Sequence, residues 1–375
     1  MNRVSFIFFL SITSALYAGL HYYIYNRIST GFNFGPLGLL ILKLIIILGA
    51  ISFYLEEILS RRHGTAGLAK PLMWFGSVWL GIIAIAFSIY IIRDLLLIFF
   101  GGQQFRQASD IVSLFLTVLL CVFCYWNVSR GFSIKTIELK TPKLPANLDG
   151  FSIVQITDIH IHLGTSPEWV DRMVAATDSL KPDLIVMTGD LIDASICNNP
   201  ALCASLSKLK AKYGVLAITG NHDFYSGIDT FMSIAADTHM KVLRNENTTI
   251  AGSIQIAGID DPEAKSFHEG ERSIPKALEN PKKIDPSKPL ILLSHRPDVF
   301  KEAAADGVDL MLSGHTHWGQ VPPMDLLVWL TMKYSWGYYK IGNSVLYTSP
   351  GTGTWGPPMR LFSRSEIVKI ILRKA

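Results

Sequence analysis

Asp309-Leu310-Met311-Leu312-Ser313-Gly314-His315-Thr316-His317-Trp318-Gly319 is the stretch whose reading decides the fold. Residues 309–312 form a short apolar run that reads as a buried strand. The chain then turns at a glycine and presents two histidines two residues apart. A strand ending this way delivers two imidazole nitrogens to one point at a sheet edge. Alone, a His-x-His pair is a weak signal, but four apolar strands upstream end alike. Residues 151–157 run into Asp158-Ile159-His160, and 184–188 into Gly189-Asp190. Residues 215–219 run into Gly220-Asn221-His222-Asp223, and 290–293 into Ser294-His295. Ligands of open α/β sheets collect outside the carboxyl ends of the strands. Five such ends are therefore read as one binding site. The glycines before Asp190, Asn221 and His315 are expected to let the backbone turn tightly and approach an ion.

Helical segments separate these strands. Ser166-Pro167 is a good cap and first-turn pair, followed by an inward face of Val170, Met173, Val174 and Thr177. Asn199-Pro200 opens another helix with Leu202, Leu206 and Leu209 inward. Residues 241–259 are expected to be antiparallel strands, and 344–348 and 366–372 close the chain as strands. The pattern predicts an α/β domain over 150–375.

The first third differs. The 375-residue chain is 49% hydrophobic and only 17% charged, a balance that points to membrane-embedded parts. Four apolar stretches approach the roughly 20 residues a helix needs to span a bilayer: 4–25, 37–55, 73–92 and 111–128. The first is read as a retained helix, although Arg3 and its apolar run also resemble a signal peptide. Lys43 lies near the end of the second and is expected to snorkel. Residues 95–100 are too short to span and are expected at the interface. Residues 1–130 form the predicted transmembrane domain. Residues 131–149, with Thr141-Pro142-Lys143-Leu144-Pro145, are a predicted linker, in which 134–139 could be an edge strand.

Residues 1–130 hold nine Lys/Arg against four Asp/Glu, leaving 25 against 26 for the remainder. The basic excess thus belongs to the membrane flanks, and no basic stripe argues for nucleic acid. Arg3, Arg61, Arg62, Lys70, Arg130, Lys135, Lys140 and Lys143 lie on one set of flanks; Arg27, Arg93 and Arg106 lie on the other. The heavier set should be cytoplasmic, which places both termini and the α/β domain there. Of four cysteines, Cys121 and Cys124 sit in an apolar run. Cys197 and Cys203 match no zinc-knuckle spacing and are read as thiols, with a disulfide as the alternative.

The strand ends offer more donors than one four-coordinate zinc takes. Two neighbouring ions sharing a carboxylate fit them better. Mixed imidazole and carboxylate donors suit manganese, iron or zinc, and paired ions suit phosphoryl chemistry.

Asp158-x-His160, Gly189-Asp190, Gly220-Asn221-His222-Asp223, His295 and Gly314-His315-x-His317, in this order, resemble the calcineurin-like metallophosphoesterases. The tail from Gly351 to Arg360 looks like the bacterial branch with YkuE- and YaeI-type members, several of which carry N-terminal membrane segments. The resemblance implies a four-layer α/β/β/α sandwich. It implies that Asp158, His160 and His317 hold one metal, that Asp190 bridges, and that Asn221, His295 and His315 hold the second. It assigns His222 to the leaving oxygen or the transition state, with Asp223 orienting it. Arg296 and Arg360 are candidate phosphate clamps, surface salt bridges being the alternative. His162 is a candidate substrate contact or an ordinary loop histidine. Trp318 either walls the pocket or packs beneath it.

The expected function is hydrolysis of a phosphoester by a metal-bridging hydroxide in a multi-pass protein of the bacterial inner membrane. Tethering favours a lipid or lipid-linked phosphate ester or pyrophosphate. Soluble esters or phosphoproteins are the alternative substrates, and a non-catalytic membrane sensor or scaffold is the alternative class. No sequence feature names a protein partner.

Overall fold

The computed structural model describes residues 3–60, 66–193 and 200–375. They divide into two units: Met1–Arg130 with Gly319–Leu326 and Gly356–Phe362, and Gly131–Trp318 with Leu327–Trp355 and Ser363–Ala375.

The first unit is helical, with α1 (Arg3–Gly31), α2 (Pro36–Ser60), α3 (Ala66–Phe99) and α4 (Gln103–Ser129). Each contains one predicted span. Among the described residues, Ala69–Phe99 and Gln103–Ser129 are long and apolar enough to cross a membrane, and Pro36–Ser52 is a shorter apolar helix. Residues 95–99 are not a separate piece; they continue α3. The intervening charges do not break the helix because they are paired: Arg93 with Asp94 at 2.9 Å and with Asp110 at 2.5 Å, and Arg27 with Asp94 at 2.8 Å.

Helix α4 is inverted relative to a helix on a soluble core. Its buried residues are Asp110, Ser113, Thr117, Cys124 and Asn127, at helical spacing on one face. Phe115, Val118 and Val122 are 64%, 57% and 63% exposed. A helix in water buries its apolar stripe; one facing lipid turns small and polar groups inward. The segment 356–362 packs onto this unit. Met359 joins Ile85, Cys124 and Val321 in one apolar cluster, and the Arg360 carbonyl accepts from Asn127 Nδ2 at 3.0 Å.

Among the described residues the second unit carries twelve strands. They are β1 (Ser133–Thr141), β2 (Ser152–Ile156), β3 (Leu184–Thr188), β4 (Val215–Ile218), β5 (Met240–Val242) and β6 (Glu246–Ile250). Then follow β7 (Ile254–Gly258), β8 (Leu290–Leu293), β9 (Leu310–Ser313), β10 (Gly337–Ile341), β11 (Ser344–Thr348) and β12 (Glu366–Lys374). Two mixed six-stranded sheets form, in the orders β1-β12-β2-β3-β4-β5 and β10-β11-β9-β8-β7-β6. Ile153, Leu184 and Leu216 of the first sheet share a core with Ile256, Ile291 and Leu310 of the second. The first sheet's other face packs on Val170, Met173 and Phe231 of the helices Pro167–Ser179 and Ile228–Asp237. The second sheet's other face packs on Ala277, Phe300 and Ala303 of shorter helices. The layers thus run α/β/β/α.

Three sequence expectations change. The stretch 131–149 is not a spacer; the edge strand suggested at 134–139 is present and longer, since β1 pairs in parallel with β12 over nine residues, Ser133 to Glu366 through Thr141 to Lys374, and Ile137 and Leu139 enter the core. β5 leaves the expected antiparallel group to pair in parallel with β4, so only β6 and β7 form the hairpin. β10 and the helix Met324–Thr331 carried no strand or helix signal in the sequence reading. Cys203 is a free thiol; Cys197, Arg61 and Arg62 lie outside the described residues.

If residues 133–141 are core structure, Ile137→Ala should destabilise the protein by about 2–4 kcal/mol. Urea unfolding of the full chain checks this; a free linker would give no change.

Candidate metal centre

The carboxyl ends of β2, β3 and β4 meet those of β8 and β9, and polar bonds clasp the two sheets there. Gln155 Nε2, on β2, donates to Thr188 Oγ1 at 2.9 Å and across to the Ser313 carbonyl at 3.1 Å. The His315 N–H donates to Asp158 Oδ1 at 3.0 Å. His295 Nδ1 lies 2.9 Å from the Thr188 carbonyl. An N–H there leaves Nε2 as the nitrogen turned toward the site, the usual outer support of a ligating histidine.

Among the described residues three groups of donors result, two made of predicted ligands and a third, His160 with Asp193 and His222, beside them. Asp158, His160 and His317 bring their donor atoms within 4.8 Å of one another, as do Asp190, His295 and His315. Asp190 lies between them: its Oδ2 is 3.1 Å from His295 Nε2 and 3.6 Å from His160 Nε2. His160 Nε2 lies 2.9 Å from His317 Nε2, and His315 Nδ1 lies 3.2 Å from His295 Nε2. Nitrogens so placed share either a proton or a cation. Asn221 Oδ1 is buried without a hydrogen-bond partner. A buried acceptor left unsatisfied is costly, and an adjacent cation would satisfy it. The donor set therefore fits two divalent ions.

Backbone geometry serves the same end. Asp158, His160, Asp190, His315, His317 and Trp318 are six of the twelve non-glycine residues with positive φ among those described. Such strain persists where surrounding structure fixes it, commonly at functional sites. Gly189 has φ +92°, the left-handed turn expected of it. Gly220 and Gly314 have no such φ; they serve close approach. A Cβ on Gly220 would strike Asp190 Oδ1, and one on Gly314 would strike Asp158 Oδ2.

The charges interlock. Burial opposes ionisation of Asp190, but His295 outweighs it and holds that carboxyl well below its ordinary value. Burial also opposes the His295 cation, and Asp190 overcomes it, raising His295 to about 10. Burial lifts Asp158 to about 6, with His295 opposing and Asp190 adding.

His222 Nδ1 lies 2.7 Å from Asp193 Oδ1. Burial works against its charged form, but Asp193 and then Asp190 outweigh it and raise its pKa above the usual histidine value. The ring stands edge-on to His160, Tyr225 and Trp355 at 4.8, 5.4 and 5.8 Å. Asp223 does not orient this ring. Its Oδ1 accepts from the Leu191 and Ile192 N–H groups and its Oδ2 from those of Asp190 and Gly220. Four donors fill a carboxylate's acceptor sites, so Asp223 shapes the loop that carries Asp190. The residue sequence reasoning missed is Asp193. Its signal was the spacing Gly189-Asp190-x-x-Asp193, which lets the Ile161–Ile192 bridge set it beside His222.

Other candidates fall elsewhere. Arg296 spends its fork on Asp261, at 2.8 and 3.0 Å, with Glu263 at 3.6 Å, so the salt-bridge reading fits it. Arg360 is fully buried and belongs to the first unit. His162 Nδ1 accepts from the Gly164 N–H at 3.0 Å, closing its own turn. Trp318 lies against Trp336, the rings tilted at 48° with centroids 5.3 Å apart.

Residues 151–319 match the calcineurin-like phosphoesterase model. An uncharacterized metallophosphoesterase of Campylobacter jejuni is 32% identical over 270 residues, covering 72% of this chain and 70% of that protein. The chain belongs to the calcineurin-like phosphoesterase family. YkuE of Bacillus subtilis, an uncharacterized metallophosphoesterase, is 31% identical over 260 residues, covering 64% and 86%. A Danio rerio transmembrane protein with metallophosphoesterase domain is 34% identical over 289 residues, covering 73% of this chain. The chain spans 64% of that protein and 62% of its Bos taurus counterpart, less than two thirds of each.

Asp190→Asn should lower bound manganese and remove the rise in Tm that manganese gives the wild type. Gly220→Ala, which presses on Asp190, should do the same in part. Metal analysis and thermal melts check both.

Proposed function

We propose that the protein hydrolyses phosphoesters at a two-metal site and that its preferred esters are carried by membrane amphiphiles. The observation that supports hydrolysis is the meeting of two donor clusters around Asp190 with the His222–Asp193 pair beside them. Asp158, His160 and His317 would hold one ion, Asn221, His295 and His315 the other, with Asp190 shared. When bound, such ions neutralise phosphoryl charge and make water a competent nucleophile near neutral pH; manganese, iron or zinc suit these donors.

The remaining chemistry belongs to the chain. Asp193 holds His222 Nδ1, so a proton on Nε2 is available to the substrate. As the P–O bond to the leaving group breaks, that proton passes to the leaving oxygen. Asp223 keeps the Asp190 loop in place through four backbone bonds. Thr188 keeps His295 in the ligating tautomer. The amphiphile reading is supported by the membrane-length helices and by the inverted face of α4. On this reading the first unit is a multi-pass anchor, with the more basic flanks and the second unit on the cytoplasmic side.

Purified full-length protein with manganese should hydrolyse bis-p-nitrophenyl phosphate, and chelator should stop it. On an alkyl phosphoester His222→Ala should lower kcat by about 10²–10⁴, and on bis-p-nitrophenyl phosphate far less. Asp193→Asn should slow alkyl esters, whose leaving oxygen needs a proton, far more than p-nitrophenyl esters, whose leaving oxygen does not. Equal loss on both would remove Asp193 from the proton-transfer step. No hydrolysis by metal-loaded wild type would sink the reading.

A further inference from the structure

A cavity of about 470 Å³ in the second unit is lined by Trp318, Trp329, Trp336, Leu330 and Lys333, among others. Its wall is bonded to the metal loop. Thr316, between two proposed ligands, is 4% exposed and donates to the Ser335 carbonyl at 2.5 Å. The Trp318 N–H returns to Thr316 Oγ1 at 3.3 Å. Trp318, with φ 49°, thus follows His317 directly into the cavity.

The segment beyond residue 327 sorts its side chains oddly for a water-facing surface. Val328 and Tyr334 are each 8% exposed, and Tyr334 holds the segment to the core by packing on Phe300 at 5.5 Å. Trp329 and Leu330 are 61% and 63% exposed. Large apolar groups left together on a surface mark a binding site, and the volume is that of a small-molecule pocket. The polar lining residues besides the tryptophans are Thr331, Lys333, Ser335 and Tyr339; no Asp, Glu, Asn or Gln among the described residues lines it to read a base or sugar. Indole faces beside leucine suit a saturated chain.

We infer that this tryptophan-walled cavity receives the apolar chain of the phosphoester, with the phosphate at the adjoining His315–His317 loop. The inference rests on the phosphoester reading above and names the part of the substrate that reading leaves open. Trp336 and Trp329 set the preference for chain length; they take no part in bond breaking.

The test uses full-length protein in lipid nanodiscs with manganese. Butyl, hexyl and octyl phosphonates are titrated by calorimetry into wild type, Trp329→Ser and Trp336→Ala. In wild type, Kd should fall with each added methylene, by up to about fourfold. Both variants should flatten that slope. Because the slope is measured within one preparation, a partly inactive variant does not mimic the effect. A flat wild-type slope overturns the inference. So does an equal slope in all three proteins, which would mean partitioning into the bilayer. Hydrolysis of p-nitrophenyl methyl phosphate is followed on the same samples. Hydrolysis without a slope removes the cavity assignment alone. A slope lost in the variants without hydrolysis keeps the cavity as an alkyl-chain site and removes the hydrolase reading.

Discussion

Two carboxylates buried side by side, Asp158 at 0% and Asp190 at 2% exposure, are the constraint on which the second unit depends. Ionised carboxylates out of water are tolerated only when paired and hydrogen-bonded. Here the partners come from both sheets. Asp190, on the first sheet, faces His295 from the second; Asp158 accepts from the His315 backbone across the same gap. The sheets are held together at their carboxyl ends by the groups that would hold the ions. Site and fold are therefore not separable there, and backbone strain collects at the same residues.

This arrangement explains why Asp193 takes the role that the sequence would give Asp223. Asp223 follows His222 directly, but the first turn of a helix carries successive side chains to different sides. Its carboxylate turns back to four unsatisfied N–H groups, which a buried loop cannot leave open. Asp193 is 29 residues from His222 in sequence, yet its backbone is carried alongside Ile161 by the loop after β3. Reach is set by pairing of loops.

The helical unit follows a different pattern. On α4 the polar residues turn inward and the apolar ones outward, while Arg27, Arg93, Asp94 and Asp110 neutralise one another between three helices. The chain draws 319–326 and 356–362 into that unit, although both lie far along the sequence, within the α/β half. Met359 and Val321 are apolar enough to join the helix cluster, and no composition shift marks them.

What the sequence determined by itself is what local chemistry writes. Strand after strand ends in a donor, glycines stand where the backbone must come close, and apolar runs give the helices their length. The donor types limit the ions, and the motif order identifies the family. What only the tertiary structure decided depends on contacts between distant segments. It placed β1 beside β12, turned the Arg296 fork to Asp261, gave His222 its partner in Asp193, and set Trp318, Trp329 and Trp336 around one cavity. Side-chain partners of this kind are fixed by which strand ends meet, and that is set by the packing of two sheets rather than by any spacing along the chain.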